Sequence, residues 1–441
     1  MNSSRLLTSL ATTNELAELF SDQCILVAFL QFESALARAQ AKLGMIPQSA
    51  ADAIGRAAVP EGFDVQALAR DARISASIAI PLVKALTARV AAGDQSAASF
   101  VHWGSTSQDA VDTAMSLLLS RAKAIFERDD AHLSKSLRAL SDRHAGTIML
   151  ARTILQPALP TTFGYKVAGW YAGVKRSWRR LAPSFGEAVT LQFGGAAGTL
   201  AAYGQQGTAL ATALGKELNL PVASAPWHTQ RDRVAALVAH CGIYTGAHGK
   251  IARDITLLMQ QEVSEVAEAG SGSSAMPNKR NPAGCVLAIA AATRMPGLVA
   301  TCLSAMVQEH ERAAGAWQAE WPVVADALQT TGSALAGVIT ALDGLTVYPE
   351  RMRANIEATQ GVIFAEKVRM LVQAKLGRQA AERLLAEAAR EARETARPFR
   401  QILGARPEIV RLLTAEQLDN LDRLEDYLGA AEEFRKKLLE D

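Results

Sequence analysis

Residues 231–269 read RDRVAALVAHCGIYTGAHGKIARDITLLMQQEVSEVAEA, and this stretch, which contains no proline, decides the fold class. Its apolar side chains recur at the three- and four-residue spacing of one helix face. They are Val234, Leu237, Val238, Cys241, Ile251, Ile255, Leu258, Met259, Val263 and Val266. The pattern predicts a single helix that would be about 58 Å long at the usual helical rise.

Four other segments show the same helical periodicity. They cover residues 108–145, residues 162–181, a helix that starts at Pro282 and bends at Pro296, and residues 322–342. Helices of this length suit a bundle whose apolar flanks pack on partner helices, often in an oligomer. We therefore predict an all-α protein with an N-terminal helical domain at 1–104, a central long-helix bundle at 105–345 and a C-terminal helical domain at 346–441.

Charge and composition argue against several classes of protein. The 441 residues include 46 Lys and Arg and 44 Asp and Glu, and this net charge of +2 argues against a basic surface for nucleic acid or an anionic membrane. The N-terminus lacks the apolar core of a signal peptide, and no uninterrupted apolar run reaches the ~18 residues of a membrane span. The four cysteines lie far apart, which indicates reduced thiols. We expect a soluble, cytoplasmic protein with a small-molecule partner.

A polar loop between two predicted long helices is the strongest functional signal. It reads GSGSSAMPNKRNPAG over residues 270–284, with two glycines before the serine pair that begins at Ser273. Asn281 is placed to cap the next helix, with a proline as its first residue. Lys279 would add its charge to the positive end of that helix. A flexible linker is the alternative, but the proline and the lysine fit a linker poorly.

A second candidate site is the segment FVHWGSTSQDAVDTA at residues 100–114. Ser105 and Gln108 match a capping box, which predicts that a helix starts near Thr106. The amides of Thr106 and Ser107 would then be free at a positive helix end, next to two hydroxyl groups. Such an end is a natural carboxylate site, and an ordinary helix cap is the alternative.

A third segment, PWHTQRDR at residues 226–233, leads into the longest predicted helix. Thr229 and Asp232 resemble a capping box, and His228 and Arg231 either face a site or seal a joint between domains. The chain has no His/Cys cluster and no phosphate-binding loop, so we predict neither a metal nor a cofactor. The glycines at 194–198 do not follow a credible strand, which argues against a dinucleotide site.

At these residues the sequence resembles the fumarase/aspartase superfamily. Residues 272–282 match the signature loop of that superfamily nearly position for position, and HWGSTSQD at 102–109 is similar to its first motif. RTILQPA at 152–158 with PTTFG at 160–164 is similar to its second motif. Within the superfamily, the chain most resembles the lactone-forming branch. The segments that carry this resemblance are LQFGGAAGTLAA, PWHTQRDR, KIARDITLLMQ and QEHERAAGAWQAEW.

The resemblance implies a fold, an assembly and a set of site residues. It implies a three-domain fold, a homotetramer with a helical core, active sites shared between subunits and a metal-free reaction on a small tricarboxylate. It assigns acid/base catalysis to Ser273. The substrate-binding residues that it implies are Thr106, Ser107, Thr153, Gln156, Lys279, Asn281 and Arg312, and we add His228 from the third segment. His102 and His144 are further candidates for acid/base catalysis.

One departure from the superfamily bears on the reaction. The amine-eliminating lyases of the superfamily carry a histidine in the second motif where this chain has Ile154. An amine must be protonated to leave, whereas a carboxylate with a pKa near ~4 leaves and adds without help. We therefore expect an enzyme that closes a lactone on a carboxylated diene through an enediolate. A sulfonated diene, a fumarate-releasing lyase and an idle helical scaffold are the alternatives.

Overall fold

The computed structural model of the chain describes residues 6–269, 276 and 279–440. The described part is a helical protein with two short antiparallel strand pairs, β1 with β2 and β3 with β4. The helices are α1 Asn14–Leu19, α2 Asp22–Lys42, α3 Gln48–Ala57, α4 Val65–Ser75, α5 Ala79–Gly93, α6 Ser107–Arg143, α7 Phe163–Ala188, α8 Gly207–Leu218, α9 Asp232–Met259, α10 Ala283–Ser304, α11 Ala316–Asp343, α12 Pro349–Glu357, α13 Ala365–Leu376, α14 Arg378–Thr395, α15 Phe399–Gly404, α16 Pro407–Val410, α17 Ala415–Asp419 and α18 Ala431–Glu440. The strands are β1 Ile148–Thr153, β2 Gln156–Thr162, β3 Val266–Ala267 and β4 Thr346–Val347.

The predicted fold class is confirmed, and the boundaries of the predicted helices differ in places. The helix predicted at 108–145 is α6, within two residues at each end. The single helix predicted at 231–269 is wrong, because α9 ends at Met259 and the chain then turns into β3. Pro296 lies inside α10, as predicted, whereas Pro322, predicted as a helix start, lies inside α11, which begins at Ala316.

The chain forms two compact units. The first comprises Met1–His132, Arg176–Gly249 and Val286–Val338. Its core is aliphatic with a few large aromatic side chains, which are fully buried and include Phe29, Phe32, Phe126, Phe185 and Tyr244. Within this unit α2 packs on α3 and α8. Helices α3 and α5 also contact the short turn of helix at Ala97–Phe100, just before α6.

The second unit comprises Leu133–Lys175, Lys250–Cys285 and Ile339–Asp441. Its C-terminal helices enclose an apolar core formed mainly by α13, α14 and α15. The hairpin of β1 and β2 also lies in this unit, and Leu150 of β1 belongs to that core. The predicted three-domain division at residues 104 and 345 stays a prediction.

Helix α10 is unusual in its composition. Among the described residues it is the one helix long and apolar enough to cross a membrane by length and hydropathy, and 22% of its apolar window is buried within the chain. Core helices of soluble proteins meet the same requirement. The cysteines at 24, 241, 285 and 302 are free thiols, as predicted, although Cys24 is only partly buried.

Candidate active site

The segment before α6 turns sharply before the helix starts at Ser107. His102 has a φ of 55° and Gly104 a φ of 72°, both in the left-handed region. The backbone N–H of Thr106 donates to Asp109 Oδ2 at 3.2 Å, and the Ser105 hydroxyl donates to the same oxygen at 3.4 Å. The side chain of Asp109 therefore satisfies the N–H of Thr106, which the sequence predicted to be free.

The predicted capping box between Ser105 and Gln108 is wrong. The Gln108 side chain is fully buried and donates instead to Asp112 Oδ2 at 3.1 Å and to the His228 carbonyl at 2.8 Å. The physical reason is that a carboxylate accepts from a helix N-terminus more strongly than an amide does. Asp109 thus takes the capping position, and Gln108 ties α6 to the segment before α9.

Asp109 also holds a glycine-rich loop against α6. Its buried carboxylate accepts from the backbone N–H groups of Gly194 and Gly195, both at 2.9 Å, and from the Gln192 side chain at 3.1 Å. His228 Nε2 lies 3.4 Å from Asp109 Oδ1. One carboxylate therefore joins the first motif, the glycine-rich loop and the PWHTQRDR segment.

The glycine-rich loop fits closely around His228. A Cβ atom at Gly194 would lie 2.7 Å from His228 Cε1, and one at Gly198 would lie 3.5 Å from His228 Nδ1. Gly195 has a φ of 67°, which favours glycine. Arg312 donates to the Ala196 carbonyl at 3.1 Å, so its guanidinium lies at the same loop. This unit thus brings together five predicted site residues, namely His102, Thr106, Ser107, His228 and Arg312.

Arg231, by contrast, is buried within a cluster of charged side chains. It donates to Asp112 at 2.7 and 3.1 Å and through Nε to Glu320 at 3.1 Å. Trp317 donates to Asp112 Oδ1 at 3.0 Å. Burial raises the pKa of Glu320 despite the opposing effect of Arg231. Because Arg231 is nearly inaccessible to solvent, its role is to hold buried side chains of this unit together, and it does not face a ligand.

In the second unit the second motif forms a hairpin with an unusual turn. Thr153 pairs with Gln156, and the two residues between them close the hairpin. Ile154 has a φ of 50° and Leu155 a φ of 63°, and their side chains are 97% and 74% exposed. A left-handed β-branched residue is rare and strained. The turn thus presents two apolar side chains between Thr153 and Gln156, which are themselves exposed.

An ion pair holds this hairpin close to its turn. Arg152 donates to both oxygens of Glu265, at 3.0 and 2.7 Å, and Asn355 donates to Glu265 at 2.8 Å. The carboxylate of Glu265 is fully buried. Arg152 belongs to the second motif, but this contact gives it a structural role, which the motif alone did not predict.

The N-terminus of α10 is also occupied by the chain itself. Glu268 accepts from the backbone N–H of Gly284 and from that of Cys285, both at 3.1 Å. Lys279 lies on the exposed approach to this helix, and Asn281 is two residues before its first residue. Ser273 lies outside the described residues, as do the other serine and the two glycines that precede Pro277.

His144 lies at the opposite end of α6 from the first motif. Its Nδ1 is 3.1 Å from the Thr147 hydroxyl, and burial lowers the pKa of His144. His102, before the other end, has a carboxylate partner that the sequence did not predict: Glu33 Oε1 lies 2.6 Å from His102 Nδ1.

The chain matches two family models. One, described as lyase, covers residues 10–297, and one, described as adenylosuccinate lyase C-terminus, covers residues 361–438. The first model includes the first and second motifs, the PWHTQRDR segment and the signature loop, whereas Arg312 lies between the two matched ranges.

Individual relatives are similar over nearly the whole chain. The 3-carboxy-cis,cis-muconate cycloisomerase of Pseudomonas aeruginosa is 44% identical, over an alignment that includes 95% of this chain and 92% of the relative. The nitrosuccinate lyase of Streptomyces davaonensis is 43% identical and covers 93% of this chain and 89% of its own length. The crystal structure of the 3-carboxy-cis,cis-muconate lactonizing enzyme of Pseudomonas putida superposes with a TM-score of 0.92 at 40% identity, covering 99% of this chain and 98% of that one.

Proposed function

Because this chain belongs to the lyase family of the fumarase/aspartase superfamily, we propose that it is an isomerase that lactonises 3-carboxy-cis,cis-muconate to 4-carboxymuconolactone. The observation that carries the proposal is the similarity to the cycloisomerase of Pseudomonas aeruginosa, 44% identical over 95% of this chain. The reaction belongs to the breakdown of protocatechuate, an aromatic acid.

The second motif supports cyclisation over amine elimination. Ile154 carries no proton to give to a leaving amine, and the neighbouring turn residue Leu155 is also apolar. In the lactonisation, the group that adds is a carboxylate of the substrate, which is a nucleophile at neutral pH without a base. An apolar turn is therefore compatible with lactone formation and unfavourable for an amine lyase.

The substrate is a trianion, so we propose that it is held by cations and polar side chains. The backbone amides at 106 and at 284–285 are occupied by Asp109 and Glu268, so the proposed binding groups are side chains. The proposed set is Thr106, Ser107, Thr153, Gln156, His228, Lys279, Asn281 and Arg312. Fixing the reacting carboxylate against the double bond can lower the barrier by up to about 7–11 kcal/mol.

The chemical steps follow from the substrate. As the carboxylate oxygen adds to the double bond, the electron pair moves into a neighbouring carboxylate and forms an enediolate. Hydrogen-bond donors around that carboxylate stabilise the transition state electrostatically. We propose that Ser273 delivers the proton to carbon and regains one from solvent. His102 and His144 are the candidates for a second acid/base group.

A second candidate function is the elimination of nitrite from nitrosuccinate. The relative from Streptomyces davaonensis favours it, because its identity of 43% is close to that of the cycloisomerases. Nitrite leaves as a stable anion and needs no general acid, so Ile154 does not separate the two reactions. Assays of both substrates on the same protein distinguish them.

We further propose that the chain is a cytoplasmic homotetramer in which each active site draws residues from several subunits. The apolar helix α10, mostly unburied within one chain, supports an assembly in which other subunits cover it.

The test is a substrate panel on one purified sample. Lactonisation removes a conjugated diene, so the ultraviolet absorbance of 3-carboxymuconate should fall, with 4-carboxymuconolactone identified by NMR. Ser273→Ala should lower kcat by several orders of magnitude without loss of the fold. Turnover of nitrosuccinate, 3-sulfomuconate or adenylosuccinate with 3-carboxymuconate left unchanged would refute the assignment, and turnover of none of the four would indicate an idle helical scaffold.

A further inference from the structure

We propose that Glu33 is a positioning residue that accepts from Nδ1–H of His102 and favours the doubly protonated, positively charged imidazolium, so that His102 Nε2–H donates to a carboxylate of the substrate. The role of His102 rests on the proposed function, whereas its coupling to Glu33 can be measured without turnover. The sequence leaves His102 and His144 as equal candidates, and their contacts in the structure separate them.

Glu33 is an unusual buried acid. Its side chain is 0% exposed, Oε1 lies 2.6 Å from His102 Nδ1, and Oε2 has no hydrogen-bond partner. No arginine or lysine among the described residues forms a salt bridge with it. Burying a carboxylate is costly unless it is paired, so an acid held in this position indicates a specific task. The paired group is the imidazole of His102.

The backbone around His102 is fixed from two sides. The Trp103 carbonyl accepts from Gln40 Nε2 at 2.8 Å and from the Tyr203 hydroxyl at 2.7 Å. Gln40 lies seven residues after Glu33 on α2, so both side chains project from the same face of that helix. The left-handed φ of 55° at His102 is thus held in place by its surroundings, as strained residues at functional sites commonly are.

The same contact sets the hydrogen-bonding capacity of the ring. With a proton on Nδ1 donated to Glu33, Nε2 is free for a ligand, and 14% of the His102 side chain remains exposed. Burial alone would lower the pKa of His102, but the charge and hydrogen bond of Glu33 and the charge of Asp109 raise it overall. Tyr203, whose hydroxyl donates to the Trp103 carbonyl, stays neutral because burial raises its pKa.

His102 is therefore a cation over a wider pH range than a free imidazole. It lies four residues before Thr106, whose hydroxyl belongs to the proposed substrate-binding set. Among the described residues no carboxylate pairs with His144: its Nδ1 lies 3.1 Å from the Thr147 hydroxyl, and burial lowers its pKa. A cationic donor stabilises the enediolate more strongly than a neutral imidazole does.

The first measurement does not depend on activity. Protonation of His102 should quench the fluorescence of the adjacent Trp103, and subtracting a titration of His102→Gln isolates this signal from the other tryptophans. In the wild type we expect a midpoint above the usual ~6.5 of histidine. Glu33→Gln should lower the midpoint by about one pH unit or more. An unchanged midpoint would overturn the proposal.

The second measurement is the pH profile of kcat/KM for 3-carboxymuconate. The alkaline limb should move to lower pH by the same interval, so that Glu33→Gln loses about tenfold near pH 8 and little near pH 6. Asp22→Asn removes an exposed acid from the same helix and should leave both curves unchanged.

If Glu33→Gln does not fold, Glu33→Asp is the second variant. It retains the charge at a longer distance and should give a smaller downward shift of the midpoint; no shift would also refute the proposal. A wild type that shows the titration but no turnover would refute the proposed function and leave the coupling standing.

Discussion

Two side chains change the chemistry expected at the helix ends. Sequence patterns predicted that the N-termini of α6 and α10 were open to substrate carboxylates. In the structure the N–H of Thr106 donates to Asp109, and those of Gly284 and Cys285 donate to Glu268, so a carboxylate of the chain itself lies at each end. A helix N-terminus satisfied in this way has little positive potential left for a ligand. The proposed binding of an anionic substrate therefore depends more on side-chain cations such as Lys279 and Arg312.

The capping role of Glu268 can be tested through stability. Glu268→Gln keeps the size of the side chain and removes its charge from the end of α10. Because hydrogen bonds to charged groups contribute about 1.5–3 kcal/mol, we expect a loss of about 1–2 kcal/mol in the free energy of unfolding. Denaturant unfolding measures it, with the exposed Glu262→Gln as a control expected within about 0.5 kcal/mol of wild type. Equal stability of the two variants would show that Glu268 does not support the helix.

Residues within sequence motifs can be selected as site candidates from the sequence, but the side chains that contact them in the fold cannot. Thr106, His228 and Arg312 were selected from short segments, and the structure places them around one loop. Glu33 was not selected, because a single acid in the apolar pattern of α2 has no distinguishing spacing. Its partner lies 69 residues away, and only the fold brings the two together.

At the scale of elements, periodicity predicted α6 well because its apolar face is buried along its length. The same reasoning failed for residues 260–269. There Arg351 donates to the carbonyls of Glu262 and Val263, and Ser264 adopts a left-handed φ of 52°. These tertiary contacts end α9 and place Glu265 where Arg152 binds it. A local pattern cannot report contacts with residues nearly 90 positions later in the chain.

The turn between β1 and β2 has a strained backbone that lowers the stability of the fold, and it exposes two apolar side chains. A two-residue turn with both residues left-handed normally contains Asn and Gly, and here it contains Ile154 and Leu155. Replacing both, as Ile154→Asn with Leu155→Gly, should stabilise the fold by about 2 kcal/mol, since each left-handed residue costs about 1–2 kcal/mol. The same change should lower kcat/KM by removing the apolar tip.

Calorimetry and steady-state kinetics on the same samples test both effects. The single variants Ile154→Asn and Leu155→Gly are the matched controls, each expected to give part of the gain. A double variant that melts at or below the wild-type temperature would disprove the strain argument. One that melts higher with full activity would show that the apolar tip has no part in the reaction.

At the scale of the whole molecule, the proposed tetramer can be tested at the exposed apolar side chains of one chain. Leu303 on α10 and Ile243 on α9 are about half exposed. We expect Leu303→Asp to shift the sedimentation coefficient from that of a tetramer to that of a smaller species and to reduce activity with it. Val410→Asp, at an exposed apolar position in the C-terminal helices, is the control. Loss of the tetramer in the control alone, or in neither variant, would contradict the proposed interface.

The most direct test of the proposed reaction is lactonisation in deuterium oxide. An enediolate protonated by a fixed group takes up one deuterium, on one face of the carbon next to the carboxylate. We expect the purified protein to convert 3-carboxy-cis,cis-muconate to 4-carboxymuconolactone carrying a single deuterium in one diastereomeric position by NMR. An unchanged diene, or a lactone with deuterium distributed equally over both faces, would contradict it.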